Sequence, residues 1–315
     1  MEISSRSRAL LTRDVSRAEQ AIRSGGLVAI PTETVYGLAA DATNPVAVRR
    51  LFEVKGRPVD HPLIVHLHSA DQLDKWAEEL NETALILTRA AWPGPLTVIV
   101  PRASGVLDVV TGGLDTVGLR VPAHPLALEL LDRVGVGLAA PSANRFGSVS
   151  PTTAEHVLHD LGDLLDPALD VVLDGGPCPV GVESSIVDCT SEPPQILRAG
   201  GVGSEEISRL LNGGVAGSSG PARASGMLTS HYAPSCVVKL VDNADDAMAL
   251  RAGSPNSAIL DLSDDLVAYA RNLYGRLREA DEQGLKTLIA VLPPADGLGH
   301  AIRDRLEKAA APRPS

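Results

Sequence analysis

Apolar residues in this chain fall in short runs that stop at proline, glycine or a hydroxyl, and the stretches between them carry helical spacing, so the pattern predicts an α/β protein. Val28-Ala29-Ile30 is halted by Pro31 and followed by Thr32, Glu33, Thr34 and Tyr36, which is how a buried strand delivers polar groups to a pocket rim. Asn44-Pro45 reads as an N-cap with proline at the first helical position and predicts a helix over 45–54 closed by Gly56, with Lys55 and Arg57 just past its end. Leu63-Ile64-Val65 predicts a strand whose alternation sets His66 and His68 on one face and Val65 and Leu67 on the other.

The alternation continues on both sides. Asp14 caps a predicted helix over 15–24 that Gly25-Gly26 ends, Ser69 caps one through Glu79, and a second apolar helix covers 82–91. Predicted strands at 96–100 and 117–121 stop at Pro101 and Pro122, which leaves Arg120 near a strand end, and the next helix has Pro125 in its first turn. The short strand 137–140 empties into Pro141-Ser142-Ala143-Asn144, and Ser150-Pro151-Thr152 opens a helix to Leu161. Strands at 171–173, 184–188 and 195–198 and a helix at 204–211 complete the first unit. Residues 212–226 are rich in Gly, Ser and Ala and read as a linker. In the tail, strands at 236–241, 257–262 and 287–293 alternate with helices at 244–251, 265–283 and 299–310, the pattern of a small parallel α/β layer. The expected division is therefore 1–211, a linker at 212–234, and 235–315. No Gly-rich phosphate fingerprint occurs in the tail, so a lid or regulatory role is expected there.

Composition narrows the class. A chain of 315 residues suggests two domains at about 100 to 200 residues each. With 44% apolar but only 3% aromatic residues, the cores must be built from Val, Leu, Ile and Ala. A net charge of -11 argues against a protein that coats nucleic acid, because neutralising phosphates needs a basic surface. Cys178, Cys189 and Cys236 are scattered, with neither a disulfide framework nor zinc spacing, and a reducing cytoplasmic setting is expected. No apolar run reaches the roughly 18 residues of a membrane span, and the N-terminus lacks a signal-peptide core.

PTETVYGL at 31–38, KGRP at 55–58, PLIVH at 62–66 and PSAN at 141–144 together resemble the Sua5/YrdC family, the threonylcarbamoyl-AMP synthases. The likeness covers about residues 10–210, and GMLTSHYAP at 226–234 with the tail resembles the longer Sua5 form. The resemblance implies a YrdC-like twisted mixed-sheet catalytic domain followed by a small Rossmann-like parallel α/β domain. It implies condensation of L-threonine, bicarbonate and ATP to threonylcarbamoyl-AMP and pyrophosphate, toward t6A modification of tRNA. Mg2+ is expected with the ATP, and product handoff to a downstream tRNA threonylcarbamoyl-transfer enzyme follows.

By resemblance, Lys55, Arg57, Ser142 and Asn144 line the nucleotide pocket. An isolated KGR tripeptide would read as solvated charge after a helix; with PSAN and PTETVYGL in the same chain it reads as part of a site. Thr34, His66, Arg120, the Ala140 backbone and Ser184 are carried over to threonine, with Arg120 as its carboxylate clamp. On the residues alone, Arg120 could equally snorkel at a strand edge and His66 could be a core histidine. His61, Thr116, Ser150, Arg198, His231 and Tyr232 are carried over to ATP, with the linker reaching over the site; Ser150 reads equally as an N-cap. Glu33 is expected to orient neighbours rather than act as a base. No dedicated metal site is expected from His61, His66 and His68.

Three positions depart from the family pattern: His61 stands where Asn is common, Phe146 where a small polar residue is usual, and the proline before Gly226-Met227 is missing. An RNA-binding YrdC-like module without turnover is the alternative, opposed by the acidic balance and the scarcity of aromatic stacking platforms. A hydrogenase-maturation type of carbamoyl transfer would need zinc-finger cysteines that this chain lacks.

Overall fold

A computed structural model of the chain describes residues 5–218 and 232–312. Among the described residues, eleven strands form one mixed sheet: β1 Leu11–Thr12, β2 Val28–Ile30, β3 Gly37–Asp41, β4 Ile64–His66, β5 Leu96–Pro101, β6 Thr116–Arg120, β7 Leu138–Ala139, β8 Val171–Leu173, β9 Ser185–Asp188, β10 Gln195–Arg198 and β11 Ala216–Gly217. Their order is β1-β8-β2-β3-β7-β4-β6-β5-β9-β10-β11. The helices packed around it are α1 Ser5–Leu10, α2 Val15–Arg23, α3 Pro45–Lys55, α4 Glu82–Ala91, α5 Asp108–Thr111, α6 Pro125–Val134, α7 Ala154–Leu161 and α8 Ser204–Leu210. The second unit is a parallel three-stranded sheet, β12 Val237–Val241, β13 Ser257–Leu260 and β14 Thr287–Val291, in the order β12-β14-β13, with α9 Ala244–Ala252, α10 Leu266–Glu282 and α11 Leu298–Ala310.

Local chemistry explains the elements nearest the site. Asn44 caps α3 through the amides of Val46 and Ala47, Pro45 supplies a preset φ, and Gly56 ends the helix at φ 62°, where a side chain would be strained. Parallel pairing of β4 with β6 sets His66 beside Arg120 in register. β5 is buried through Val100, as an interior strand with both faces covered should be.

Several expectations need correction. Lys55 is the last helical residue, not the first beyond the helix, so its side chain leaves from the buried side of α3. After Ser69 the chain makes a 3-10 helix, Ala70–Lys75, in place of an α-helix to Glu79. Helix α7 begins at Ala154 with Thr153 as its cap; Ser150 is no cap, because its hydroxyl goes to Glu183. Within the expected linker, Ala216–Gly217 pairs with Gln195–Ile196, while 219–231 lies outside the described residues.

The two units share a core. Val35, Val149 and Val182 of the first pack in one buried cluster with Tyr269, Leu273, Leu277, Ile302 and Leu306 of the second. Arginines fasten the contact: Arg271 donates to Pro179 O at 3.0 Å, and Arg278 pairs with Asp160 at 2.6 Å and reaches Val149 O.

On the opposite side, Asp170 is 1% exposed and accepts from the amides of Leu27 and Asp166 and from both terminal nitrogens of Arg50. Removing such a carboxylate orphans every donor at once. Asp170→Ala is expected to lower unfolding free energy by about 3 kcal/mol in denaturant titration; a loss near zero would contradict this account.

Candidate functional site

The polar ends of these strands converge on a cleft of about 650 Å³ including its open mouth. It is lined by Thr34, Lys55, Arg57, His66, Arg120, Ala140, Ser142, Asn144, Ser184, Arg198 and Tyr232, so eleven of the residues singled out in the sequence meet in one place. His61 and Ser150 stand one contact behind the wall. His61 lies edge-on to Phe146, which lines the cleft, with ring centroids 5.3 Å apart. Thr116 opens β6, opposite Pro101, and is not part of the lining. His231 lies outside the described residues.

One end of the cleft is organised by the turn after β2. Thr32 Oγ accepts the amides of Thr34 and Val35 at 3.1 and 3.2 Å and shares a 2.8 Å hydrogen bond with Thr34 Oγ. Arg120 donates to Thr34 Oγ at 3.0 Å and to Gly94 O at 3.2 Å, and pairs with Glu33 at 2.7 Å. The other Glu33 oxygen accepts from the Ala123 amide, so this carboxylate orients Arg120. The contacts leave Arg120 Nη1 without a hydrogen bond among the described residues. Nearby, His66 Nδ1 is buried with no hydrogen-bond partner among the described residues. Burial, then the adjacent Arg120 charge, holds the imidazole down at about 3.

The other end is cationic. Arg57 Nη2 donates to Pro62 O at 3.0 Å and its guanidinium lies 5.7 Å from the Phe146 ring centroid. Burial and then Arg198 outweigh Tyr232 and Asp60 to lower Arg57 to about 10, so it keeps its charge at neutral pH. Arg198 is bound to Ser184 through both carbonyl and hydroxyl, at 3.0 and 3.1 Å, and Ser184 Oγ also meets Thr97 Oγ1 at 2.8 Å. Behind this backbone, a Cβ on Gly200 would lie 2.3 Å from the Ser184 carbonyl carbon, so only glycine fits.

Two assignments change in detail. Lys55 is fully buried and its ammonium donates to Ser142 O at 2.5 Å and Asn144 O at 2.6 Å. Burial first, and then Arg57, depress it well below an ordinary lysine. Here Lys55 holds the Pro141-Ser142-Ala143-Asn144 turn as well as lining the cleft. Asn144 spends its amide nitrogen on Arg145 O and Ser148 O, at 3.0 and 2.7 Å, leaving Oδ1 buried and without a partner among the described residues. It therefore offers an acceptor, which suits a cation or an N–H and not a phosphate oxygen.

Thr32, expected at the pocket rim, lines the cleft and sets the turn through its hydroxyl, whereas sequence reading missed Glu183, which also lines the cleft. Glu183 accepts from Ser150, Tyr274 and Arg305. A signal existed for Arg305: it falls three residues after Ile302 and four before Ala309, on the apolar face of α11, where an unpaired charge is not tolerated. Among the described residues no group of three His, Cys, Asp or Glu side chains could hold a metal ion, and no helix is long and apolar enough to cross a membrane.

Known proteins resemble this chain over most of its length. The family profile Sua5–YciO–YrdC, described as telomere recombination, matches residues 20–200, and a profile described as threonylcarbamoyl-AMP synthase, C-terminal domain, matches 202–311. The threonylcarbamoyl-AMP synthase of Pyrococcus abyssi is 41% identical over 318 residues, covering 93% of this chain and 92% of that protein. That of Bacillus subtilis is 37% identical over 327 residues, covering 95% and 93%. The crystal structure of P. abyssi Sua5 complexed with L-threonine superposes with a TM-score of 0.87 at 39% identity, covering 96% of each chain.

Because the folded His66 value, about 3, lies below the ordinary 6.5, the neutral ring favours the fold, and that contribution is lost as pH falls from 6.5 through about 3. NMR titration should show no protonation of His66 between about pH 5 and 8; a step near 6.5 would contradict the burial argument.

Proposed function

The chain belongs to the Sua5–YciO–YrdC family, and on that premise we propose that it condenses L-threonine, bicarbonate and ATP into threonylcarbamoyl-AMP and pyrophosphate. The observation that carries the reading is a single cleft with an oriented guanidinium and a neutral imidazole at one end and two further guanidiniums at the other. An amino acid and a triphosphate need those two ends, and their reaction needs both within one wall.

Chemically, the threonine amine adds to carbon dioxide released from bicarbonate to give a carbamate. A carbamate oxygen attacks the α-phosphorus, and the bond to the bridging oxygen breaks as pyrophosphate leaves. No covalent enzyme intermediate is required, so the protein contributes position and charge. Arg120 takes the threonine carboxylate, held in aim by Glu33, with Thr34 and the Ala140 backbone at that end and Ser184 between it and Arg198. His66 lines the same end and presents a neutral imidazole to the threonine hydroxyl or amine. Arg57 and Arg198 offset triphosphate charge, and Phe146 with His61 offers aromatic surface at the rim for the base. Asn144 Oδ1 and the Ser142 hydroxyl are hard oxygen donors for the Mg2+ that accompanies ATP.

The product is a mixed anhydride prone to hydrolysis, which fits direct handoff to a tRNA threonylcarbamoyl-transfer enzyme and a place in t6A synthesis. Its cysteines are free and buried, which fits a reducing cytoplasm.

The test is pyrophosphate release by the full chain with substrates omitted singly. Release that requires ATP, threonine and bicarbonate together is expected, and release indifferent to threonine would refute the reading. Arg57→Ala should lower kcat/KM by about 100-fold while moving the unfolding midpoint much less, as differential scanning calorimetry would report.

A further inference from the structure

Outside the substrate-facing side chains, a buried cluster of charged and phenolic groups lies where the second domain meets the wall of the cleft. Arg305 of α11 is fully buried, donating from Nε to Glu183 Oε2 at 2.8 Å and from Nη2 to Ala199 O at 3.0 Å. Tyr274 of α10 donates its hydroxyl toward both Glu183 oxygens, at 2.8 and 3.0 Å, and Ser150 supplies a third donor at 2.6 Å. Burial alone would raise the carboxyl; Arg305, Arg198 and the Ser150 hydroxyl instead hold it down to about 2.

The same two residues enclose Tyr232. Its ring lies with its centroid 5.2 Å from the Arg305 guanidinium and stacks on Tyr274 at 5.6 Å with a 30° interplanar angle. Tyr232 lines the cleft and has φ 61°, a left-handed backbone that a bulky residue keeps only when its surroundings fix it. Glu183 immediately precedes Ser184, whose carbonyl and hydroxyl hold Arg198. One buried network of the second domain thus reaches the cleft by two routes, through Tyr232 and through the Glu183-Ser184 backbone.

We propose that Arg305 and Tyr274 are positioning residues for the nucleotide end of the cleft, acting through Tyr232 and Glu183, so that the second domain completes the ATP subsite and is more than a cover over it. The inference rests on the synthase reading for the identity of the ligand. It assigns the two ends of the cleft different dependence on this polar network: Arg120 at the threonine end is held by Thr34, Gly94 and Glu33 of the first domain, none of which bonds to Arg305 or Tyr274 among the described residues.

The experiment measures ATP and threonine Kd by calorimetry, and KM for each, on full-length Arg305→Gln, Arg305→Lys, Tyr274→Phe and Tyr232→Ala, and on Arg305→Gln combined with Tyr232→Ala. Arg278→Gln is the control, because Arg278 fastens the same interface through Asp160 and Val149 and, among the described residues, has no hydrogen bond or ion pair to Tyr232 or Glu183. Arg305→Gln is expected to weaken ATP about ten-fold or more with threonine affinity unchanged. Arg305→Lys should recover part of this, and the Tyr232→Ala background should absorb most of it. Arg278→Gln should lower Tm with ATP affinity retained. Equal losses for ATP and threonine, fully additive effects with Tyr232→Ala, or an unchanged ATP Kd in folded Arg305→Gln would overturn the proposal. If Arg305→Gln does not fold, Tyr274→Phe decides: it keeps the ring and deletes the donor to Glu183, and wild-type ATP affinity there is a negative result. Wild-type protein that binds ATP but releases no pyrophosphate would overturn the synthase reading alone, since the binding cycle stands apart from turnover.

Discussion

The ammonium of Lys55 on the carbonyls of Ser142 and Asn144 is the constraint from which the cleft takes its shape. A buried ammonium depressed well below its ordinary range is costly to charge, and two carbonyl acceptors are what make its position tolerable. In return the turn after β7 is fixed to the end of α3. Backbone bonds Leu38 N to Pro141 O and Ala143 N to Tyr36 O then lock that turn to the segment after β2. Three stretches far apart in the chain thereby keep one geometry without help from a ligand.

Electrostatic preparation is divided between the ends. At one, Arg120 is neutralised in part by Glu33, so its remaining capacity is directional more than coulombic. At the other, burial and the Arg198 charge lower the affinity of Arg57 for its proton, a repulsion that a polyanion relieves on binding. The arrangement suits a carboxylate that must be aimed and a phosphate chain that must be neutralised.

Much of this was readable from residues in order. Strand runs ending at Pro31, Pro122 and Pro141 announced where polar groups would emerge, and Asn44-Pro45 with Gly56 announced α3 almost to its last residue. The parallel layer of the second domain followed from its alternation. Other features were invisible because they depend on contacts between distant segments. The short strand β11 has no apolar run of its own and exists because β10 offers an edge to pair with. Ser150 looked like a helix cap, since local sequence could not show Glu183 within 2.6 Å of its hydroxyl. Asn144 was read only as lining the nucleotide pocket, and it takes the carbonyls of Arg145 and Ser148 to reveal that its donors are already used. The pairing of Glu183 with Arg305 spans 122 residues, a distance over which no periodicity carries information.

Val35 belongs to the hydrophobic cluster of the second domain while its neighbour Thr34 faces Arg120. One peptide unit thus joins a grease-filled joint to the amino-acid end of the cleft, and the joint cannot open without dragging that peptide along. Residues 32–36 therefore serve both halves at once, with the turn that aims Arg120 on one side and the packed seam on the other.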